Sequence, residues 1–242
     1  MNKLIDSISL VSDTALPVVK AVLDANDKLG KFENDDKGPL VLASVLSDFF
    51  GVTSSLENGG NYPPVDKFSD FAEYGLDLLD RLAYFVRALE VMEHGDDVAL
   101  IFASTGYWFA KNGATFSNLN GIADGFGQLV NGLKDTDELA YICKQMLEVA
   151  EASVEYHESN DDTSDPWRPW RVLNLNAGIA ATRSMQPDLM ESTFEILSAR
   201  LPSDMPIFFR DGFRMMQGQH VSEEAQGVMQ KFASQTSIIS FH

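Results

Sequence analysis

Apolar residues recur at three- and four-residue intervals along most of this chain, the spacing that puts side chains on one face of an α-helix. The first such segment runs from Leu16 to Leu29, with Val18, Val19, Val22, Leu23 and Leu29 on one broad face. Pro17 falls in its first turn, where the missing N–H has no helical partner to lose. Gly30 and the polar stretch Glu33 to Gly38 end it. Pro39 opens a second helix through Leu42, Val45, Leu46, Phe49 and Phe50, stopped by Gly51. The longest pattern, Phe68 to His94, predicts about 40 Å of unbroken helix at 1.5 Å per residue, with Gly95 as its stop signal. Asp96 and Asp97 start the next, which carries Val98, Ile101, Phe102, Thr105, Trp108 and Phe109.

The C-terminal half continues in the same period. Leu119 to Leu133 has a clean apolar face, and Asp135 with Glu138 has the D-x-x-E spacing of a helix start for a segment reaching His157. Four further helices are predicted over Trp170 to Arg183, Pro187 to Arg200, Pro206 to Gln217 and Ser222 to Ser234. Clusters of β-branched residues are short (Val52-Thr53, Ile238-Ile239), and no alternating run of strand length occurs. The fold class is therefore all-α.

Glycines refine that picture. Gly121, Gly125 and Gly132 fall beside the apolar face of one predicted helix. Each glycine costs a helix interior about 1 kcal/mol relative to alanine, so the stripe predicts close approach of a neighbouring helix. A phosphate-binding loop is disfavoured because the order is not G-x-G-x-x-G and no strand precedes it. Gly178 and Gly212 lie 34 residues apart in helical patterns, a period typical of stacked helix-pair repeats.

From Asn174 to Pro202 the chain resembles a tetratricopeptide repeat. Ala177-Gly178 matches the small-residue contact of the first helix, Phe194 the second-helix aromatic and Pro202 the closing proline. Asn174, Ala181 and Met190 depart from the usual aromatic, aromatic and alanine. Phe208, Gly212 and Met215 repeat the first-helix spacing, and Phe102, Gly106 and Phe109 echo it upstream. Leu201 through Met216 also looks like the tail of uncharacterised bacterial helical proteins. The resemblance implies stacked antiparallel helical hairpins in a superhelix, either open or closed into a globule, and a protein-segment ligand.

The run Glu57 to Pro64 holds two glycines and two prolines, which oppose helix. It suggests an N-terminal helical subdomain over residues 1–56, a linker or loop over 57–66, and a hairpin stack over 67–242.

Charge narrows the partners. The 242 residues carry 36 acidic and 18 basic side chains, a formal net charge of −18. Such a chain is repelled by phosphate backbones and anionic membrane surfaces. Neither nucleic acid nor membrane is expected as a partner, and a partner drawn by charge would be basic. The single Cys143 excludes an intramolecular disulfide and reads as a small buried hydrophobe. Polar residues break up the N-terminal stretch, so no signal-peptide core is expected; apolar runs stay short of the roughly 20 residues of a bilayer span. The expected compartment is the cytoplasm.

No catalytic motif emerges. Glu-x-x-His pairs are missing, since Val91 and Val154 stand three residues before His94 and His157, so no metal is expected, and no cofactor. His157 reads as a structural histidine near a helix C-terminus. The acidic loop Glu158, Asp161, Asp162, Asp165 lacks the order of a calcium loop. Trp167, Arg168 and Trp170, in a proline-rich turn, have hot-spot composition, although they would equally cap the core. The leading expectation is a non-catalytic module engaging a polypeptide on a face built from Val172, Leu175, Ile179, Phe209, Phe213 and Met216. The alternatives are an acidic inhibitor or immunity-type protein directed at a basic enzyme, and an enzyme with a small-molecule pocket between helices.

Overall fold

The computed structural model describes residues 6–33, 35–153, 165, 167–217 and 221–239. Ten α-helices account for most of them: α1 (Ile8–Leu29), α2 (Pro39–Glu57), α3 (Val65–Ala88), α4 (Gly95–Lys111), α5 (Asn120–Gly132), α6 (Thr136–Ala152), α7 (Pro169–Ser184), α8 (Pro187–Arg200), α9 (Met205–Met216) and α10 (Glu223–Ile239). No strand occurs among the described residues, and the class is all-α. His157, Glu158, Asp161 and Asp162 lie outside the described residues.

Several boundaries differ from the sequence pattern, each for a local reason. Helix α1 begins eight residues before Leu16, so Pro17 sits inside it. It lies on the exposed side, where the carbonyl of Asp13, left without an N–H partner, can reach water. The start of α1 is held from a distance. The Glu57 carboxylate accepts from Ser7 Oγ at 2.7 Å and from the Ile8 N–H at 2.9 Å, satisfying donors that every helix N-terminus leaves open. Gly51 does not stop α2, which continues to Glu57.

The long central pattern breaks in two at Glu90, which takes the left-handed conformation at φ 58°. The Glu90 N–H bonds to the Arg87 carbonyl and the Val91 N–H to the Val86 carbonyl. This is a Schellman ending with glutamate where glycine is usual. A short 3-10 turn, Met92–His94, follows, and Gly95 opens α4 rather than closing α3.

One hydrophobic core joins residues from Ile8 to Phe232. Its axis is α4, buried on every side from Ala99 to Phe109 and packed on α1, α3, α5 and α6. Loop 58–64 is tied down rather than free: the Tyr62 ring meets Phe68 edge-on at 5.2 Å and its hydroxyl donates to Asn112 Oδ1 at 3.0 Å. A second aromatic cluster, Phe194, Phe208, Phe209 and Phe232, joins α8, α9 and α10. Helix α2 is the one described helix long and apolar enough to span a bilayer by length and composition, with a mean hydropathy of 1.4. Its Leu42, Leu46, Phe49 and Phe50 are buried in the core.

The glycine stripe divides. At Gly121 a Cβ would lie 2.3 Å from the Phe102 ring, and at Gly125 2.4 Å from the carbonyl oxygen of Ala99. Gly106 of α4 likewise receives Ile122 of α5. Gly132 is instead exposed at the end of α5, so it takes no part in that contact.

Candidate functional site

Contacts on three sides fix the orientation of α7. Its core side holds Trp170, Leu173, Ala177, Ala180 and Ala181, all buried. One flank meets α9: Arg171 pairs with Asp204 through Nε at 3.0 Å, and a Cβ on Gly178 would lie 2.7 Å from the Phe208 ring. The other flank meets α5. Asn176 approaches Gly127, where a Cβ would lie 3.1 Å from its Nδ2. Arg183 donates to the carbonyls of Val130 and Leu133, placing a cation on the C-terminal end of α5 as the helix dipole favours.

Between those flanks, opposite the core, runs Val172, Leu175 and Ile179. Their i, i+3, i+7 spacing puts them on one ridge. Val172 and Leu175 are half-buried, while Ile179 is 40% exposed. These three residues form an apolar ridge on α7, between its contacts with α5 and α9. Among the described residues the N-terminal helices pack chiefly on one another and on α4.

Helix α9 is turned differently from the sequence expectation. Phe209 and Met216 are buried, and Phe213 is half-buried against the core. They lie on the core side of α9 and do not share an exposed face with the α7 ridge. The outward side of α9 carries Ile207, 57% exposed, with Arg210, Asp211 and Arg214. Asp211 Oδ1 lies 3.2 Å from Arg210 Nε and 3.8 Å from Arg214 Nη1. The sequence pattern missed Ile207, Arg210 and Arg214, although Ile207 and Arg214 share one face at i, i+7.

The tryptophan–arginine turn also divides. Trp170 is a core residue whose Nε1–H donates to the buried carbonyl of Ala150 at 3.0 Å, with the Arg200 guanidinium over its ring. Trp167 is 81% exposed, and its N–H bonds to Asp165 Oδ1 at 2.8 Å. Arg168 Nη1 donates to the Asp165 carbonyl.

Other chemistry-bearing groups are placed structurally. Cys143 is buried beside Thr193, its sulfur 3.5 Å from Oγ1, and burial pushes the thiol up to about 11, where it is not a thiolate at neutral pH. The Tyr141 hydroxyl donates to Asp6, and burial together with that carboxylate raises its pKa well above the ordinary phenol value. His94 Nδ1 lies 2.9 Å from Asp97 Oδ2 at the start of α4. Among the described residues no group of three or more His, Cys, Asp or Glu is placed to hold a metal. A cleft of about 360 Å³ lies between α3, α4 and α5, lined by Asp80, Arg87, Val98, Asp124 and Gln128. Asp80 is already committed there, accepting from Asn118 Nδ2 at 2.6 Å.

Comparison of the chain with known protein families, with curated proteins and with solved structures finds no match.

Proposed function

We propose that this protein is a non-catalytic interaction module that engages a polypeptide along the apolar ridge of α7, between α5 and α9. The observation that carries this reading is the apolar ridge of α7, with Ile179 exposed and Val172 and Leu175 half-buried, together with the exposed Ile207 on α9. A helical ridge with i, i+3, i+7 apolar anchors is the complement of an extended or helical segment laid across it. The glycine contacts support a tetratricopeptide-like arrangement of the C-terminal helices. Gly178 receives Leu197 of α8, and Gly212, 34 residues on, receives Met229 of α10. The single buried Cys143 fits a cytoplasmic setting, and the net charge of −18 disfavours nucleic acid and anionic membranes as partners.

The test compares proteins recovered from the producing cells by the wild type and by Ile179→Ser, at low and at high salt. Substituting a 40% exposed residue leaves the core intact. A partner retained by the wild type at high salt and lost by the variant supports the reading. Equal recovery by both contradicts it.

A further inference from the structure

Apart from the α7 ridge, the cleft between α3, α4 and α5 encloses about 360 Å³, at the small end of the roughly 300–1,000 Å³ that ligand sites occupy. It exists because α3 and α5 each pack on α4 and scarcely on each other. Helix α5 lies close on α4 through Gly121 and Gly125, so no side chain at those two positions fills the gap. The floor is apolar: Ala99 and Phe102 of α4 are buried, and Val98 is half-buried. The walls are charged. Arg87 of α3 lines one side, and Asp124 of α5, with the neutral Gln128 four residues on, lines the other. Among the described residues neither the Arg87 guanidinium nor the Asp124 carboxylate has a hydrogen-bond or ion-pair partner. Arg171, Arg183 and Arg200, by contrast, are each held by a carboxylate or by carbonyls. Asp80, the remaining charged group of the lining, already accepts from Asn118.

We infer that this cleft binds a small zwitterion with an apolar body, an apolar amino acid or a dipeptide of such residues. The ligand carboxylate meets Arg87, whose planar fork can hold both oxygens. The ammonium meets Asp124, with the Gln128 side-chain carbonyl as a neutral acceptor beside it. The apolar side chain covers Val98 and Phe102. Charge decides the class. A ligand with only a carboxylate would meet Arg87 but be repelled by Asp80 and Asp124. A ligand with only an ammonium would gain from the two aspartates but leave Arg87 opposed to it. A ligand carrying both groups leaves neither wall unmatched, and partial enclosure strengthens each pairing over its value in water. The site is separate from the α7 ridge and does not depend on the polypeptide reading.

The probes are leucine and leucyl-leucine. Each is also used as the C-terminal amide, which lacks the carboxylate, and as the N-acetyl form, which lacks the ammonium. Isothermal titration calorimetry reads binding, and circular dichroism checks that each variant is folded; Arg87 and Asp124 are both exposed, so their substitution leaves the core intact. At least one of the two zwitterions should bind the wild type, and its capped forms should bind about tenfold more weakly. Arg87→Met should lower affinity for that zwitterion about tenfold and remove the advantage of the free carboxylate over the amide. Asp124→Asn should remove the advantage of the free ammonium over the N-acetyl form. Lys20→Glu and Ile179→Ser, away from the cleft, should change nothing. Failure of both zwitterions to bind overturns the inference. So does an amide that binds as tightly as its parent, because Arg87 then takes no carboxylate, or an N-acetyl form that does so, because Asp124 then takes no ammonium. Weaker binding in the variants with both preferences unchanged also overturns it.

Discussion

Gly125 of α5 lies against the backbone of Ala99 of α4 so closely that a Cβ would stand 2.4 Å from the Ala99 carbonyl oxygen. A side chain can rotate away from such a contact, whereas a helix carbonyl cannot. The closeness sets where α5 sits, and α5 in turn contacts α7 through Gly127 and the Val130 and Leu133 carbonyls. Gly125→Ala should therefore destabilise the protein. Overpacking costs about 1–3 kcal/mol, and the better helix former returns at most about 1 kcal/mol. Urea denaturation measures the difference, and a more stable variant would contradict the close approach.

Gly51 provides the opposite case. It lies inside α2, exposed, and a Cβ added there would meet nothing within 4 Å. Gly51→Ala should raise stability by about 0.5–1 kcal/mol through helix propensity and a less flexible unfolded chain. A loss of stability in the same denaturation experiment would show that α2 does not continue through this position.

Glu57 makes the fold acid-sensitive. Burial raises its pKa, but hydrogen bonds from Ser7, the Ile8 and Ser9 backbone and the Ser9 hydroxyl more than offset this and hold it below 4.5. A depressed carboxylate stabilises the folded state above the unfolded pKa, and that contribution is lost as pH falls through the folded value. Glu57→Ala should cost about 0.5–2 kcal/mol near neutral pH, as loss of a helix cap does. The gap between variant and wild type should then close as pH drops below 4.5. A gap independent of pH would show that the Glu57 charge is not what holds α1.

Trp170 tests the division within the tryptophan–arginine turn. Trp170→Phe keeps most of the ring volume but removes one of the two donors to the buried Ala150 carbonyl, which keeps the Ser153 hydroxyl. The expected cost is about 0.5–1.5 kcal/mol. Substitution of the 81% exposed Trp167 should leave stability within about 0.5 kcal/mol. Thermal unfolding of both variants reads the contrast.

What the sequence made legible follows from what periodicity encodes. It shows which residues share a helix face, so the helix over Pro187 to Arg200 and the close approach of some neighbouring helix at Gly121 and Gly125 could be read from the residues alone. It does not show which side the neighbouring helix occupies. Phe209 and Met216 form a strong apolar stripe on α9, and that strength marks the side packed on the core; the exposed ridge is the weaker one, Ile207 with Arg210 and Arg214 around it. On α7 the minor stripe Val172, Leu175, Ile179 was separable because a second stripe, Leu173, Ala177 and Ala181, already accounts for the core. The break at Glu90 left no trace, since glutamate is an ordinary helix former and only its left-handed backbone ends α3. Gly95 then read as a stop because α3 and α4 together keep the helical period. Net charge is coarse in the same way: a sum over the chain carries no information about which helices hold the arginines.

Amide hydrogen exchange with a captured partner polypeptide bound reads out whether the α7 ridge and the outward side of α9 are the surface that binds. Docking should slow exchange in α7 around Val172 to Ile179 and in α9 around Ile207 to Arg214, leaving the α3–α4–α5 cleft around Arg87 and Asp124 unchanged. Protection confined to that cleft, with α7 and α9 exchanging as in the free protein, would contradict the account.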